Sequence, residues 1–470
     1  MNTLFAAFSE AHNSLKILVV FVLLVFAVSK GAHLGLVAFL AAIVMAFWSS
    51  AGPLQAFLVP VTASLSLDSI LLAFVLVLIL GLSALMKNTG NMERAARAYS
   101  SLASSPRLAL STLPAIIGAL PMPGGAGFSA PLIAALDTGE QLTPAERSAA
   151  NYWFRHMIEL IWPLYPSFML ILSLSGMTMV TVIVMNLYSP VVMILLGYFF
   201  LLRKPLRRSA KDTSAGQASS ATQKAQALKD FLKAFAPILI AIIGSLLLTP
   251  VVAALLRVSA PMWPQVPLAD LGHYLPVILG ISGGTAFVLL SPPSSAAASA
   301  PASASLPATG AEKNLSGLMR RAYLTSSVYK TALMVLGIKA FAGTLQHFGV
   351  AASIAKELAA IGVGSSVLIV VLPLLAGLVT GVGFGYVGVS FPIILALVPA
   401  GDATALAATV ALASAAGFAG MMLSPLHVCA AVSSGYFTVP MSDTLKRIAP
   451  PALIFLAIAI VYSSLLRLFL

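Results

Sequence analysis

Charged residues are scarce in this sequence. Only 9% of its 470 residues are Asp, Glu, Lys or Arg, whereas 59% are hydrophobic and the mean hydropathy is +1.00. A soluble protein carries about 25% charged residues, and a transmembrane helix needs about 20 mostly apolar residues. The composition therefore excludes an ordinary soluble domain and predicts an all-α polytopic membrane protein in contact with the lipid bilayer.

Acidic residues are scarcer than basic ones. The chain has 14 Asp and Glu against 26 Lys and Arg, which gives a net charge of +12. The basic residues lie beside hydrophobic segments, where they set the orientation of membrane spans. We therefore expect no nucleic-acid partner.

Cysteine and the common catalytic motifs are almost absent. The only cysteine is Cys429, so an intrachain disulfide is excluded. The sequence has no Walker loop, no HExxH motif, no Cys/His metal cluster and no G-x-S-x-G elbow. We expect no cofactor, no bound metal and no enzymatic activity.

Long hydrophobic segments predict ten membrane spans. They lie at about 15–29, 32–50, 68–86, 149–175, 178–202, 234–256, 270–290, 326–345, 403–435 and 447–469. We interpret the first as a span, since it lacks the basic flank and cleavage site of a signal peptide. Two shorter apolar pairs, 107–136 and 366–399, are each divided by a glycine cluster.

Two polar segments divide the chain. Residues 204–226 are basic and rich in Ser and Ala, and residues 291–312 are of low complexity. Both compositions are typical of linkers. We therefore predict a first half at 1–203, a basic cytoplasmic linker at 204–226, and a second half at 227–470 that contains the cytoplasmic loop 291–312.

The distribution of basic residues favours re-entrant hairpins in the two divided segments. If the N-terminus is outside and each divided segment enters and leaves on one side, 19 of the 26 Lys and Arg fall on the cytoplasmic side. If the segments crossed the membrane, the basic regions 87–107 and 203–233 would face opposite sides. The positive-inside rule therefore favours hairpins.

The two glycine clusters belong to an internal repeat. GFSAPLIAAL (127–136) and GVSFPIILAL (388–397) are identical at six of ten positions. Each half also has three spans, a surface helix (88–105 or 349–364), a divided hairpin, a proline-broken span and a last span. Five crossings per half place the second half upside down. The sequence therefore predicts two inverted-topology repeats, each with five spans and one re-entrant hairpin.

Inverted repeats are typical of secondary transporters, whose substrate site lies at discontinuous helices near the middle of the membrane. We expect hairpin tips at 121–129 and 381–390 that face each other. We expect the helix after each tip to begin at Ser-x-Pro, where free N–H groups hold an anion; the alternative is tight packing of small residues. The expected substrate-binding residues are Gly124, Gly125, Gly127, Ser129, Tyr165, Gly383, Gly385, Gly388, Ser390, Ser424 and His427.

Ionisable residues in the proline-broken spans are candidates for coupling. In the first span, Arg155 and Glu159 are spaced i,i+4 and can form an ion pair, and His156 and Glu159 can share a face. In the second span, His427 follows Pro425 at the position that Tyr165 occupies in the first half. We expect His156, Glu159 and His427 to form a proton relay.

These stretches resemble the DUF401 family of prokaryotic membrane proteins. The resemblance is carried by NYWFRHMIELIWPLYPS (151–167), GMMLSPLHVCAAVSSGYF (420–437) and the glycine clusters, and it covers most of the chain. DUF401 is grouped with the ion transporter superfamily, which includes citrate, gluconate, lactate and dicarboxylate carriers. The resemblance implies a homodimer in the prokaryotic cytoplasmic membrane, with a scaffold and a moving transport domain.

The sequence departs from that superfamily at the tips. Several members carry a Ser-Asn-Thr motif at each tip that binds sodium and carboxylate, whereas these tips offer Ser129 and Ser390 without Asn or Thr. Together these features predict a secondary transporter of a small organic anion, with elevator-like alternating access. Protons are the favoured coupling ion. Sodium remains an alternative, because backbone carbonyls can also bind sodium. The alternatives are a membrane-embedded enzyme for lipid or isoprenoid substrates, with Glu159 and His427 as acid and base, and a channel.

Overall fold

All the regular elements of the described residues are helices. The computed structural model describes residues 13–49, 52–102, 106–121, 125–137, 142–203, 221–259, 261, 267–291, 315–350, 353, 357 and 364–469. The helices are α1 (Asn13–Ser29), α2 (Leu34–Trp48), α3 (Pro53–Ser64), α4 (Leu67–Asn88), α5 (Asn91–Leu102), α6 (Pro106–Gly118), α7 (Ala126–Leu136), α8 (Pro144–Arg155), α9 (Pro166–Ser175), α10 (Met179–Asn186), α11 (Tyr188–Gly197), α12 (Ala221–Ser259), α13 (Leu268–Leu290), α14 (Leu315–Tyr323), α15 (Ser326–His347), α16 (Ser365–Thr380), α17 (Gly383–Ile394), α18 (Ala403–Leu423), α19 (Val428–Tyr436) and α20 (Met441–Phe469).

The predicted membrane spans coincide with these helices. Eight described segments are long and apolar enough to cross a bilayer, which confirms a polytopic membrane protein. The first two predicted spans are shorter helices, α1 and α2, of 17 and 15 residues. The sequence analysis did not predict α3 and α14, two short helices that each lie between the second and third spans of one half.

The predicted linkers lie mostly outside the described residues. Residues 204–220, the loop 292–312 and most of the surface helix 349–364 are among those not described. Helix α12 begins at Ala221, so the last six residues of the segment interpreted as a linker are helical.

The helices pack in two groups. In the first, α4 and α15 contact each other, α4 contacts α13, and α15 contacts α2. In the second, α18 packs against α16, α17 and α20, and α8 packs against α6, α7 and α19. Small residues permit close contact in both groups. A Cβ atom on Gly337 would overlap the Gly35 carbonyl in the first group, and one on Gly377 would overlap the Gly417 carbonyl in the second.

Two membrane spans are interrupted in the middle. The first consists of α8 and α9, which are separated by a turn and by the 3₁₀ turn Glu159–Ile161. Pro166 restarts the helix at its first position, where the missing N–H costs nothing. The second consists of α18 and α19, which Ser424–His427 separates beside Pro425. Both interruptions expose backbone groups inside the protein.

Each glycine cluster joins two helices that pack on one another, α6 with α7 and α16 with α17. Gly381 ends α16 with φ of 64°, a left-handed conformation that glycine adopts without strain. Helix α7 begins at Ala126 and α17 begins at Gly383. The prediction that these helices begin at Ser129 and Ser390 is therefore wrong.

In both helices the whole G-x-S-x-P motif lies inside the helix, after its first residue. Pro131 and Pro392 lack an N–H, so the carbonyl four residues earlier, on Gly127 or Gly388, loses its helical donor. The serine hydroxyls donate to other carbonyls of their own helix. Ser129 Oγ donates to Ala126 at 3.3 Å, and Ser390 Oγ donates to Tyr386 at 2.6 Å.

Candidate functional site

The two interrupted spans meet at a pair of histidines. Nε2 of His156, at the first interruption, lies 3.1 Å from Nε2 of His427, at the second. Both side chains are buried, and their ring centroids are 4.8 Å apart. Residues 271 positions apart in sequence thus form one contact, as the prediction of a shared relay requires.

The outer nitrogen of each ring is fixed by an acceptor. His156 Nδ1 lies 2.8 Å from Glu159 Oε2, and His427 Nδ1 lies 2.5 Å from the Gly381 carbonyl. A backbone carbonyl only accepts, and an ionised carboxylate does the same, so both Nδ1 atoms donate. The contact between the two Nε2 atoms is then attractive only if a hydrogen lies between them. With both Nδ1 atoms donating, a hydrogen between the two Nε2 atoms is one proton more than two neutral rings carry.

Glu159 connects this pair to the second hairpin. A Cβ atom added to Gly383 would lie 2.6 Å from Glu159 Oε1 and 2.9 Å from Ser167 Oγ. Gly383 is the first residue of α17, so the carboxylate sits against a helix N-terminus, where the helix dipole stabilises negative charge. The negative charge of the Glu159 carboxylate is therefore stabilised by two neighbours, His156 and the N-terminus of α17.

The first hairpin rests on the first interrupted span. Tyr165 Oη donates to the Gly118 carbonyl at 2.7 Å, and Trp162 Nε1 donates to the Ala119 carbonyl at 2.7 Å. These bonds satisfy carbonyls that the end of α6 leaves free. Tyr165, a predicted site residue, therefore fixes the first hairpin as His427 fixes the second.

Tyr152 holds the histidine pair in place. Its ring centroid lies 5.5 Å from that of His156 and 5.1 Å from that of His427. Its hydroxyl donates to the carbonyls of Met421 and Met422 at 3.3 and 3.2 Å, near the end of α18. The sequence analysis did not single out Tyr152, because an aromatic residue in an apolar span gives no distinct signal.

Arg155 is buried, and two of its three guanidinium nitrogens lack a hydrogen-bond partner among the described residues. It is 2% exposed, and its Nε and Nη1 atoms have no hydrogen-bond partner in the described part of the chain. The predicted ion pair with Glu159 is not observed. Helix α8 ends at Arg155, so the i,i+4 spacing no longer places the two side chains on one face. The C-terminal dipole of α8 stabilises the guanidinium by about 0.3–1 kcal/mol. An unpaired buried charge destabilises the folded protein by more, about 3–5 kcal/mol.

Cys429, the single cysteine of the sequence, lies beside the histidines. Its sulfur and the two imidazoles place three donor atoms within 4.8 Å of one another, a set that soft transition metals can use. The Arg155 guanidinium is close enough to this sulfur for a direct electrostatic interaction. A metal cation would therefore meet a positive charge that no described carboxylate neutralises, and the electrostatics favour an anion.

We call Arg155, His156, Glu159, His427 and Cys429 the central cluster. Some predicted site residues lie around it. Ser424 Oγ would lie 3.0 Å from a Cβ atom on Gly381, in the second hairpin turn, and Gly125 precedes the first residue of α7. Gly124 lies outside the described residues.

Other predicted site residues contact different parts of the fold. Gly127 faces Val432, Gly385 faces Thr380, and Gly388 faces Ile338 of α15. Ser129 and Ser390 are fully buried. Their role in substrate binding stays a prediction.

Comparison with known proteins places the chain in a family. Residues 11–261 and 275–465 match the family described as "Protein of unknown function (DUF401)". No curated protein matches the chain. Similar solved structures include the YdaH transporter of Alcanivorax borkumensis and MtrF of Neisseria gonorrhoeae, which is described with a class of antimetabolite efflux pumps.

The structural likeness is distant. YdaH is 16% identical, with 87% of this chain and 85% of YdaH covered and a TM-score of 0.45. MtrF is 14% identical, with 98% and 95% covered and a TM-score of 0.47. Such values carry no argument about this protein's activity. The family match, in contrast, extends over both halves, so the protein belongs to the DUF401 family.

Proposed function

We propose that this protein is a secondary transporter of a small carboxylate-type anion, coupled to protons. The observation that carries the proposal is the meeting of both interrupted spans, the end of α6 and the start of α17 at the central cluster. A protein that only spans a membrane has no need of two broken helices around buried ionisable groups, which are costly there. Discontinuous helices near the middle of the membrane are the sites at which secondary transporters bind substrates.

An inverted repeat is part of this proposal, and the helix contacts support it. Helix α4 contacts α13, and its counterpart α15 contacts α2, the counterpart of α13. In the same way α9 contacts α17, and α19 contacts α7. The two unpredicted helices follow the same rule, since α3 packs on α15 and α14 packs on α4. Such reciprocity is expected of two halves related by a pseudo-twofold axis.

Elevator-like movement is the mechanism that we propose. Helix α9 contacts α4, and α17 contacts α15. The counterpart contacts, α19 with α15 and α7 with α4, are marginal at most among the described residues. The second helix group thus contacts the first through α9 and α17 and not through their counterparts, an asymmetry suited to one of two alternating states.

Proton coupling rests on the histidine pair. The hydrogen between His156 and His427 can move to Glu159 or leave the pair without any large rearrangement, because all three groups are already in contact. Since the two histidines come from different halves, movement of one interrupted span relative to the other changes the affinity for this proton.

Uptake into proteoliposomes tests the transporter proposal. We expect a pH gradient to drive accumulation of an organic anion by the reconstituted protein. Uptake driven only by a sodium gradient at equal pH would contradict proton coupling. Chemical turnover in detergent, without any gradient, would contradict transport and favour an enzyme.

Glu159→Gln tests the relay. We expect this variant to lose its response to a pH gradient and to keep substrate exchange, because the neutral side chain mimics the protonated acid. Asp230→Asn, an exposed change on α12, is the matched control and should behave as wild type. A normal pH response of Glu159→Gln would exclude Glu159 from the relay.

A further inference from the structure

Two buried guanidinium nitrogens of Arg155, Nε and Nη1, have no hydrogen-bond partner among the described residues, which points to a ligand from outside the protein chain. Buried charged groups in proteins are paired, because an isolated charge loses its hydration without compensation. Glu159, the nearest carboxylate in sequence, is occupied by His156 and by the first turn of α17. The nearby carbonyls of Gly118 and Ala119 already accept hydrogen bonds from Tyr165 and Trp162.

The position of Arg155 relative to α7 follows from two contacts. Helix α7 runs antiparallel to α8: Asp137, after its end, pairs with Arg147, and Ala126, at its start, accepts a hydrogen bond from Asn151. Arg155 lies four residues beyond Asn151, or about 6 Å further along α8. It therefore lies just past the N-terminus of α7.

Cys429 is placed in the same way. Asn151 also donates to Ser433 Oγ at 2.8 Å, so α19 lies beside the start of α7 as well. Cys429 is one turn before Ser433, and it interacts electrostatically with Arg155. Arg155 thus lies inside the protein, with the first turn of α7 on one side and α19 on another.

The first turn of α7 adds hydrogen-bond donors. Its earliest backbone bonds are those of the Phe128 and Ser129 N–H groups to the Gly125 carbonyl. The N–H groups before them have no helical acceptor, as at every helix start. They carry the positive end of the helix dipole towards the space that Arg155 occupies.

Arg155 is the one Lys or Arg side chain of the central cluster. The carboxylate of the cluster, Glu159, is already engaged by His156 and by the first turn of α17. A single carboxylate would pair with Arg155. A dicarboxylate would bring a second charge that no further Lys or Arg of the cluster can pair with, and a neutral amide would leave the guanidinium uncompensated.

We infer that Arg155 and the N-terminal turn of α7 bind a single carboxylate group, and that the substrate is a monocarboxylate. This inference rests on the proposed transport function, because it names the substrate class of that site. A guanidinium binds a carboxylate through two parallel N–H groups, which gives both strength and orientation.

Binding to the purified full-length protein tests the inference. The probes are straight-chain monocarboxylates of two to eight carbons, together with the matching dicarboxylates and primary amides, measured by thermal shift and calorimetry. We expect at least one monocarboxylate to bind saturably, and its dicarboxylate and amide to bind at least about tenfold more weakly. If no monocarboxylate binds, or if the dicarboxylate binds better, the inference is wrong.

Arg155→Gln separates binding from structure. We expect it to weaken monocarboxylate binding on the order of 100-fold and to raise the melting temperature of the ligand-free protein, because an unpaired charge is removed. Arg155→Lys keeps the charge but not the paired donors, so we expect about a tenfold loss. Unchanged binding by Arg155→Gln, or a lower melting temperature without ligand, would show that Arg155 is structural.

Arg147→Gln is the matched control on the same helix. Arg147 Nε lies 2.7 Å from Asp137 Oδ2, so this change should lower the melting temperature and leave binding intact. Transport is measured separately. Binding without uptake would refute the transporter proposal and leave the inferred binding site unaffected. Anion uptake that survives Arg155→Gln would refute the inferred binding site alone.

Discussion

At the scale of single residues, Gly383 occupies a position where any side chain would press on Glu159. An added Cβ atom would lie 2.6 Å from the Glu159 carboxylate and 3.0 Å from Ser167 Cβ. We expect Gly383→Ala to displace either Glu159 or the start of α17, at a cost of about 1–3 kcal/mol. Proteoliposome uptake should fall roughly tenfold, and its dependence on the pH gradient should weaken.

Gly435→Ala is the control for this change. Gly435 lies inside α19 with no atom within 4 Å of an added Cβ. Alanine favours a helix over glycine by about 1 kcal/mol, so this variant should transport normally and unfold at the same or a higher temperature. Normal uptake by both variants would mean that the contact between Gly383 and Glu159 has no functional role.

The sequence predicts the residues of the site better than their partners. His156, Glu159 and His427 stood out because ionisable groups are rare in spans. The partner of Glu159 could not be predicted, since the choice between Arg155 and His156 depends on where α8 ends. That end is set by tertiary contacts at the interruption, which residue spacing does not reveal.

At the scale of helices, one polar contact joins the two helix groups. Lys339 of α15 forms an ion pair with Asp68 of α4, and Tyr274 of α13 donates to the same carboxylate at 2.6 Å. Ser173 of α9 bridges the pair: it accepts from Lys339 Nζ at 3.1 Å and donates to Asp68 Oδ2 at 3.2 Å. The contact thus joins an interrupted span to the helices that this span would move past in the proposed elevator mechanism.

Ser173→Ala removes this tie. A hydrogen bond to a charged group is worth about 1.5–3 kcal/mol, so we expect a shift in the balance between the two transport states. The shift can be measured as a change in the rate of substrate exchange relative to net uptake. Ser175→Ala, two residues along the same helix, removes a bond to the Ile171 carbonyl and one from the Met177 N–H, neither of which reaches α4 or α15, and it should leave that ratio unchanged. Equal effects of the two variants would contradict the tie.

The spans were predictable from hydropathy, but the starts of two helices were not. The repeated G-x-S-x-P string suggested a helix start, because serine and proline are frequent there. The string instead lies inside α7 and α17, after their first residues. Membrane helices tolerate proline within the helix when it is buried in protein, so the rule for helix starts misplaced the boundary.

At the scale of the whole molecule, the proposed inverted repeat places the open ends of the two hairpins on opposite sides of the membrane. Pro144 and Ala400 are exposed and lie near those ends. In intact cells, we expect a membrane-impermeant maleimide to label Ala400→Cys directly and Pro144→Cys only after permeabilisation. The wild-type chain is the blank, because Cys429 is buried. Labelling of both positions from one side would contradict the inverted repeat.

The meeting of the two halves could be predicted only through the repeat. Nothing in the spacing of His156 and His427 brings them together, and they became one prediction because the two halves share an order of landmarks. The reciprocal helix contacts were beyond prediction, since residues such as Gly377 and Gly417 report their close approach only in three dimensions.

Helix α18 has a consequence for how the protein is made. Of an 18-residue window in Ala403–Tyr436, 89% is buried, against 22% for Thr222–Ser259. Helix α18 therefore touches almost no lipid and is held by its neighbours, α16 before it and α20 after it in the chain. A nascent chain that has not yet released α20 from the ribosome leaves one side of α18 facing acyl chains. Completion of the central cluster, which flanks this helix, therefore waits for the last span, and the site is assembled at the end of synthesis rather than half by half.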